Sequence, residues 1–180
     1  SAPDKAVPVS VIYFIGSVMV AGNVQPDFEV IADLNIKIAR HLQGGYLETY
    51  RGDITVEGNI VGSGRNQSLP ASSRAKSGRD VFCAGVLRAL RVQGASVEAN
   101  GNVEVKREVM NSEIRSRKCL LIREGQLLGG KTYANWGIEA MIIGSSAGST
   151  TQIFLCSGIE ASQSYVDISK EIAANEEAIK

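Results

Sequence analysis

The sequence predicts a single-stranded parallel β-helix of about seven to eight coils, followed by a C-terminal α-helix. Three observations point there. Apolar–x–apolar pairs recur at a spacing near 18 residues. Glycine is abundant, with 19 residues, while aromatic residues make up only 6%. Over residues 164–180 the pattern changes to helical spacing.

The pairs are Val18-Met19-Val20, Ile36-Lys37-Ile38, Ile54-Thr55-Val56, Val81-Phe82-Cys83, Val103-Glu104-Val105, Leu120-Leu121-Ile122 and Ile138-Glu139-Ala140. Their first members lie 18, 18, 27, 22, 17 and 18 residues apart. Further short alternating runs follow some of them: Asn59-Ile60-Val61, Glu108-Val109-Met110, Ser112-Glu113-Ile114 and Gln126-Leu127-Leu128. Alternation over three to five residues marks a strand with one face in and one out. Glycines such as Gly52, Gly94 and Gly129 fall between the runs, where corners need unusual backbone angles.

Eighteen residues holding three short strands and three turns make one coil of a solenoid. A lone coil buries little, so stacking on its neighbours creates the core. At about 4.8 Å per coil, seven or eight coils give a rod roughly 35 Å long. Val18, Ile36, Ile54, Val81, Val103, Leu120 and Ile138 are expected to form one inward ladder.

The interval of 27 contains a polar, glycine-rich stretch with Pro70, read as a loop inserted at about 62–73. The domain thus runs over 1–163, and 164–180 forms an amphipathic helix. There Tyr165, Ile168, Ile172 and Ile179 repeat at spacings of three, four and seven. This helix either caps the last coil or starts a coiled coil.

Charge and cysteine usage narrow the function classes. The chain is neutral, with 19 basic and 19 acidic residues, unevenly spread. Residues 74–131 carry twelve basic and six acidic side chains, against seven and thirteen in the rest of the chain. Within that basic middle, Lys106, Arg107, Arg115, Arg117 and Arg123 fall on polar positions of neighbouring coils. They are the candidate partner-binding strip, with a solvated turn face as the alternative. Nucleic-acid binding would add aromatic platforms. Only Tyr133 and Trp136 lie near, so other proteins are the expected partners, with a homo-oligomer left open.

Cys83, Cys119 and Cys156 make an odd count without a CxxC pair, so neither a disulfide framework nor a zinc site is expected. Free thiols suit the cytosol. The longest apolar run, Val7 to Ile15, is interrupted by Pro8 and Ser10 and is too short to span a membrane. No signal peptide is visible, and the chain begins at Ser1 without Met, as in a segment cut from a longer protein.

Catalytic constellations are scarce. His41 is the only histidine, which excludes sites needing two. There is no phosphate loop, nucleophile elbow or HExxH. Asp53 and Asp80 read as equivalent positions of successive coils, and stacked acids on a β-helix can bind or cleave polysaccharide. The alternative is a turn role, since Asn23, Asn59 and Asn102 also stand just before apolar residues. No cofactor, metal or catalytic residue is expected.

The run from Ile12 to Val24, IYFIGSVMVAGNV, resembles the start of the repeat domain of flagellar assembly protein A and its relatives, with their glycine-punctuated G-D-V-x-V-x-G-x-V coils. Val97 to Val105 and Met110-Asn111-Ser112 are similar. Gly129-Gly130-Lys131-Thr132-Tyr133-Ala134 resembles the family's G-G-x-x-x-A, and Ile143 to Thr150 its x-G-S-x-x-G-x-x-T. Cys119 departs from the pattern, as does Ala32-Asp33-Leu34, where a glycine turn is expected. The resemblance covers roughly 11–165. It implies a right-handed β-helix in a cytoplasmic bacterial protein, a non-enzymatic scaffold serving flagellar assembly or polar placement through protein–protein contacts. A polymer-forming, bactofilin-like β-helix is the first alternative and a polysaccharide-binding or cleaving one the second. A left-handed acyltransferase helix would hold a stricter hexapeptide register.

Burying an aliphatic side chain contributes about 1.5–3 kcal/mol. Val103→Asp is therefore expected to unfold the middle of the stack, read as loss of the cooperative urea transition monitored by circular dichroism.

Overall fold

The computed structural model describes residues 10–63, 78–145 and 148–155. Among the described residues fourteen strands form one parallel sheet wound into a solenoid. They are β1 (Ser10–Phe14), β2 (Val18–Val20), β3 (Phe28–Ala32), β4 (Ile36–Ile38), β5 (Leu42–Gln43), β6 (Tyr46–Thr49) and β7 (Ile54–Val61). Then follow β8 (Val81–Cys83), β9 (Leu87–Gln93), β10 (Ser96–Ala99), β11 (Val103–Ser116), β12 (Cys119–Ala134), β13 (Gly137–Ile143) and β14 (Thr151–Leu155). The expected helix over 164–180 lies outside the described residues.

Register resolves the strands into three faces. Face I stacks Ile12, Val30, Leu47, Val81, Val97, Ile114, Thr132 and Ile153. Face II stacks Val18, Ile36, Ile54, Leu87, Val103, Leu120 and Ile138, giving seven coils. Face III stacks Val24, Leu42, Ile60, Val92, Val109, Leu127 and Ile143. The longer strands β7, β9, β11, β12 and β13 turn the corner from face II to face III without a break. From Val24 to Leu127 the interior residues of faces II and III are buried, and they join those of face I in one core cluster. Each coil therefore contributes one or two mostly aliphatic interior residues per face, and their burial depends on the coils above and below.

The expected inward ladder holds at six of its seven rungs. Val81 belongs to face I, where it pairs with Leu47 and Val97, and Leu87 takes the rung between Ile54 and Val103. The inserted segment sits on the corner from face III to face I, between Val61 and Asp80. Of the loop expected at 62–73, Gly62 and Ser63 are described, and the remainder lies outside the described residues.

The III-to-I corner has a repeated backbone signature. In five coils the residue just after the face III strand adopts positive φ: Gly44 (68°), Gly94 (57°), Asn111 (46°), Gly129 (67°) and Gly144 (93°). Only glycine, and less readily asparagine, occupies this region at low cost. A second device sits at the corner entering face II. There the Ser17 hydroxyl accepts the Asn35 N–H, Asn35 Oδ1 the Asp53 N–H, and Asp53 Oδ1 the Val86 N–H. Asn102 Oδ1 likewise accepts the Cys119 N–H. Cys119 thus falls in a column, continued by Gly137, whose earlier members are mostly short and polar. A parallel column entering face III has Asn23 Oδ1 accepting the His41 N–H at 3.0 Å, and His41 Nδ1 accepting the Asn59 N–H at 2.9 Å. These side chains satisfy backbone donors that corner geometry leaves off the sheet ladder.

The inner end of face I runs Ala32, Thr49, Cys83, Ala99, Ser116 and Ala134, all small and buried. These positions lie where face I meets the corner into face II. Thr49 and Ser116 satisfy their hydroxyls by donating to the Gly52 and Gly101 carbonyls at 2.9 Å each. Burial pushes the Cys83 thiol above its ordinary pKa, which keeps it protonated and inert.

Two outcomes are expected in urea unfolding. Gly94→Ala meets no atom within 4 Å, so it should cost only the left-handed backbone strain, about 1–2 kcal/mol. Gly125→Ala would set a Cβ 1.8 Å from the Arg107 carbonyl oxygen, and forcing the coils apart should cost more than Gly94→Ala. Separately, His41→Ala should lose about 1 kcal/mol by abandoning the Asn59 N–H, whereas His41→Asn should be near neutral.

Candidate functional site

The corner from face II to face III varies in length, and that variation shapes the side of the rod. Between paired positions it holds Glu57 and Gly58 in the third coil, Leu90 alone in the fourth, Lys106 and Arg107 in the fifth, and Arg123, Glu124 and Gly125 in the sixth. The fourth coil is therefore recessed between longer neighbours. Over Ala89 and Leu90 lies an open groove of about 740 Å³, walled by Glu57, Arg88, Glu104, Lys106, Arg123 and Glu124. The same shortening interrupts the polar column that runs through His41. Arg91 follows Asn59 in register, and the buried Asn59 Oδ1 has no hydrogen-bond partner.

Charge in the groove is balanced and cross-linked between coils. Arg88 bridges Asp53 at 3.0 Å and Glu104 at 3.1 Å, one coil to each side. Lys37 pairs with Glu57 at 2.7 Å and Arg123 with Glu139 at 3.4 Å. The Lys37 ammonium holds the Glu57 carboxyl below its ordinary pKa. The carboxylates beside Arg88, Asp53 first, raise its guanidinium further above neutrality. These pairs are substantially exposed, so each contributes little to stability. Their effect is to fix long side chains in place on a surface that is polar at its walls and apolar at Leu90.

The five basic residues of the expected strip do not form one line. Lys106 and Arg123 line the groove, and Arg107 shares their corner. Arg115 projects from face I, where it pairs with Glu113 at 2.7 Å and lies 4.3 Å from the Tyr133 ring centre. Arg117 is exposed at the corner between faces I and II. Neighbouring Lys118 stands 5.4 Å from the Trp136 ring. Leu90, Arg88, Glu57 and Glu104, which complete the groove, carry no motif. The signal for them was the corner length, readable only with Leu87 on the face II rung.

Asp53 and Asp80 are not equivalent either. Asp53 enters face II, whereas Asp80 enters face I. Asp80 accepts the Ser63 N–H at 3.1 Å and hydroxyl at 2.8 Å through Oδ1, and the Ser96 N–H at 2.8 Å through Oδ2. Both aspartates are engaged in holding corners. Among the described residues no group of three or more His, Cys, Asp and Glu side chains is arranged to hold a metal ion, and no helix is long and apolar enough to cross a membrane.

No curated protein and no solved structure matches this sequence. The family model for the Flagellar Assembly Protein A beta solenoid domain matches residues 7–180, which include every coil described above. A parallel solenoid with a glycine or asparagine corner in nearly every coil, matched over almost its whole length, places the chain in the Flagellar Assembly Protein A beta solenoid family.

Proposed function

We propose that this domain is a non-enzymatic scaffold of a cytoplasmic bacterial protein, wound right-handed like nearly all parallel crossovers, that serves flagellar assembly by binding other proteins. The family match over residues 7–180 carries this reading. The groove over Leu90 supports it with a place to bind: an apolar floor with fixed charges of both signs favours a protein surface over a polyanion. Lys106 and Arg123 are the residues of the basic set proposed to contact that partner. Arg107 flanks them, while Arg115 and Arg117 face elsewhere.

A second reading, self-assembly of the bactofilin sort, draws on the apolar residues exposed on the first and last coils. A polysaccharide-cleaving role finds no such support, because Asp53 and Asp80 serve different corners.

An affinity pull-down from bacterial lysate, with the full-length parent protein as bait, separates the first two. Specific recovery of flagellar assembly or placement proteins, lost with Lys106→Glu/Arg123→Glu at unchanged thermal stability, is the expected result. Recovery of the bait alone, with filaments in electron micrographs, would establish self-assembly instead.

A further inference from the structure

The groove over Leu90 spans four coils, from Glu57 in the third to Glu124 in the sixth. Most of its charges are already matched. Lys37 holds Glu57, Asp53 and Glu104 hold Arg88, and Glu139 holds Arg123. Lys106 and Glu124 are the two groove charges without an ion-pair partner among the described residues, and both are exposed. The apolar surface comes from Leu90 and Leu121, each partly buried. The one-residue corner makes the seat at Leu90, because the two-residue corners of the third and fifth coils flank it. Along the rod axis, from the fourth coil to the sixth, the surface therefore presents an apolar seat, a free cation and a free anion.

We propose that this groove takes a short amphipathic helix of a partner protein, laid along the rod axis. The helix seats a large apolar side chain on Leu90, sets an acidic residue one turn on against Lys106, and sets a basic residue a further turn on against Glu124. The proposal rests on the reading of the groove as a partner-binding surface and specifies what that partner presents. Pitch selects a helix over a strand. The two coil steps from Leu90 to Glu124 cover about 9.6 Å. Two helical turns cover about 10.8 Å, close to that distance. Two steps between same-side residues of a strand cover about 13 Å, and the charges would then miss their partners. Charge order selects a protein over a polyanion, because a phosphate chain on the same surface would meet Glu57, Glu104 and Glu124. A helix with an apolar anchor and fixed charges is an established way of filling such a groove.

Panning a phage-displayed library of alanine-based helical peptides, randomised along one face, against the full 180-residue chain tests this. Two variants serve as counter-targets. A glycine inserted after Leu90 restores a two-residue corner like that of Glu57 and Gly58 and removes the seat. Lys106→Glu/Glu124→Lys exchanges the free charges. Wild-type binders are expected to carry the apolar, acidic and basic residues on successive turns, and to bind the insertion variant about tenfold or more weakly. The charge-exchanged variant is expected to select the two charges in the opposite order. An unchanged melting temperature shows that each variant keeps its stack; if the insertion lowers it, Leu90→Glu removes the apolar seat without altering the corner. Recovery of no groove-dependent peptide, or a charge order indifferent to the exchange, would overturn the proposal. Failure here is distinguishable from failure of the scaffold role. Flagellar proteins recovered from lysate equally by wild type and by the insertion variant would remove the seat and keep the role. Groove-dependent peptides with no flagellar protein in the lysate would do the reverse.

Discussion

The constraint on which this molecule depends is that no coil can bury its own interior. With only one or two interior residues per face, a coil of about eighteen residues gains its core only from parallel, in-register pairing with the coils on either side. Everything else follows from keeping that register. Corners must bring the backbone back to the same rung after every circuit. Corner donors need acceptors from the neighbouring coil, and insertions are tolerated only where they leave and rejoin at one corner.

The corners answer that demand in different ways. On leaving face III, left-handed backbone does the work, and Gly44, Gly94, Asn111, Gly129 and Gly144 are chosen for what they lack or can tolerate. On entering faces II and III, short acceptor side chains do it, and Asn35, Asp53, Asn102, Asn23 and His41 each reach one coil onward. The lone histidine is then a spacer of about the right length with an acceptor nitrogen. The small interior of face I near Thr49, Cys83 and Ser116 belongs to the same solution, since Thr49 and Ser116 turn their hydroxyls onto the Gly52 and Gly101 carbonyls of the corner.

Periodicity made the coil readable from the residues alone, since an apolar–x–apolar triplet every eighteen residues matches the circuit of a solenoid and neither the helical nor the hairpin period. It did not say which face a triplet belongs to. Val81-Phe82-Cys83 has the same form as Ile54-Thr55-Val56, and the long insertion between them removed the spacing that would have told them apart. That single misplacement hid the shortened corner at Leu90. It also made Asp53 and Asp80 look like successive members of one column. The groove was harder to foresee for another reason. Its ion pairs join residues far apart in sequence, as with Arg88 and Asp53, thirty-five positions apart, and charge composition alone spread the basic residues along an imagined line.

A perfectly regular solenoid has translational symmetry along its axis: each coil offers the same flank as the next, and a molecule reading that flank could settle at any of several equivalent heights. The one-residue shortening at Leu90 acts as a stacking fault in that lattice. It is healed within one coil, so the core continues undisturbed through Val92 and Val109. On the outside it leaves a one-residue corner with longer corners on both sides, a step that recurs at Met141 in the last described coil. The fault gives the rod an address.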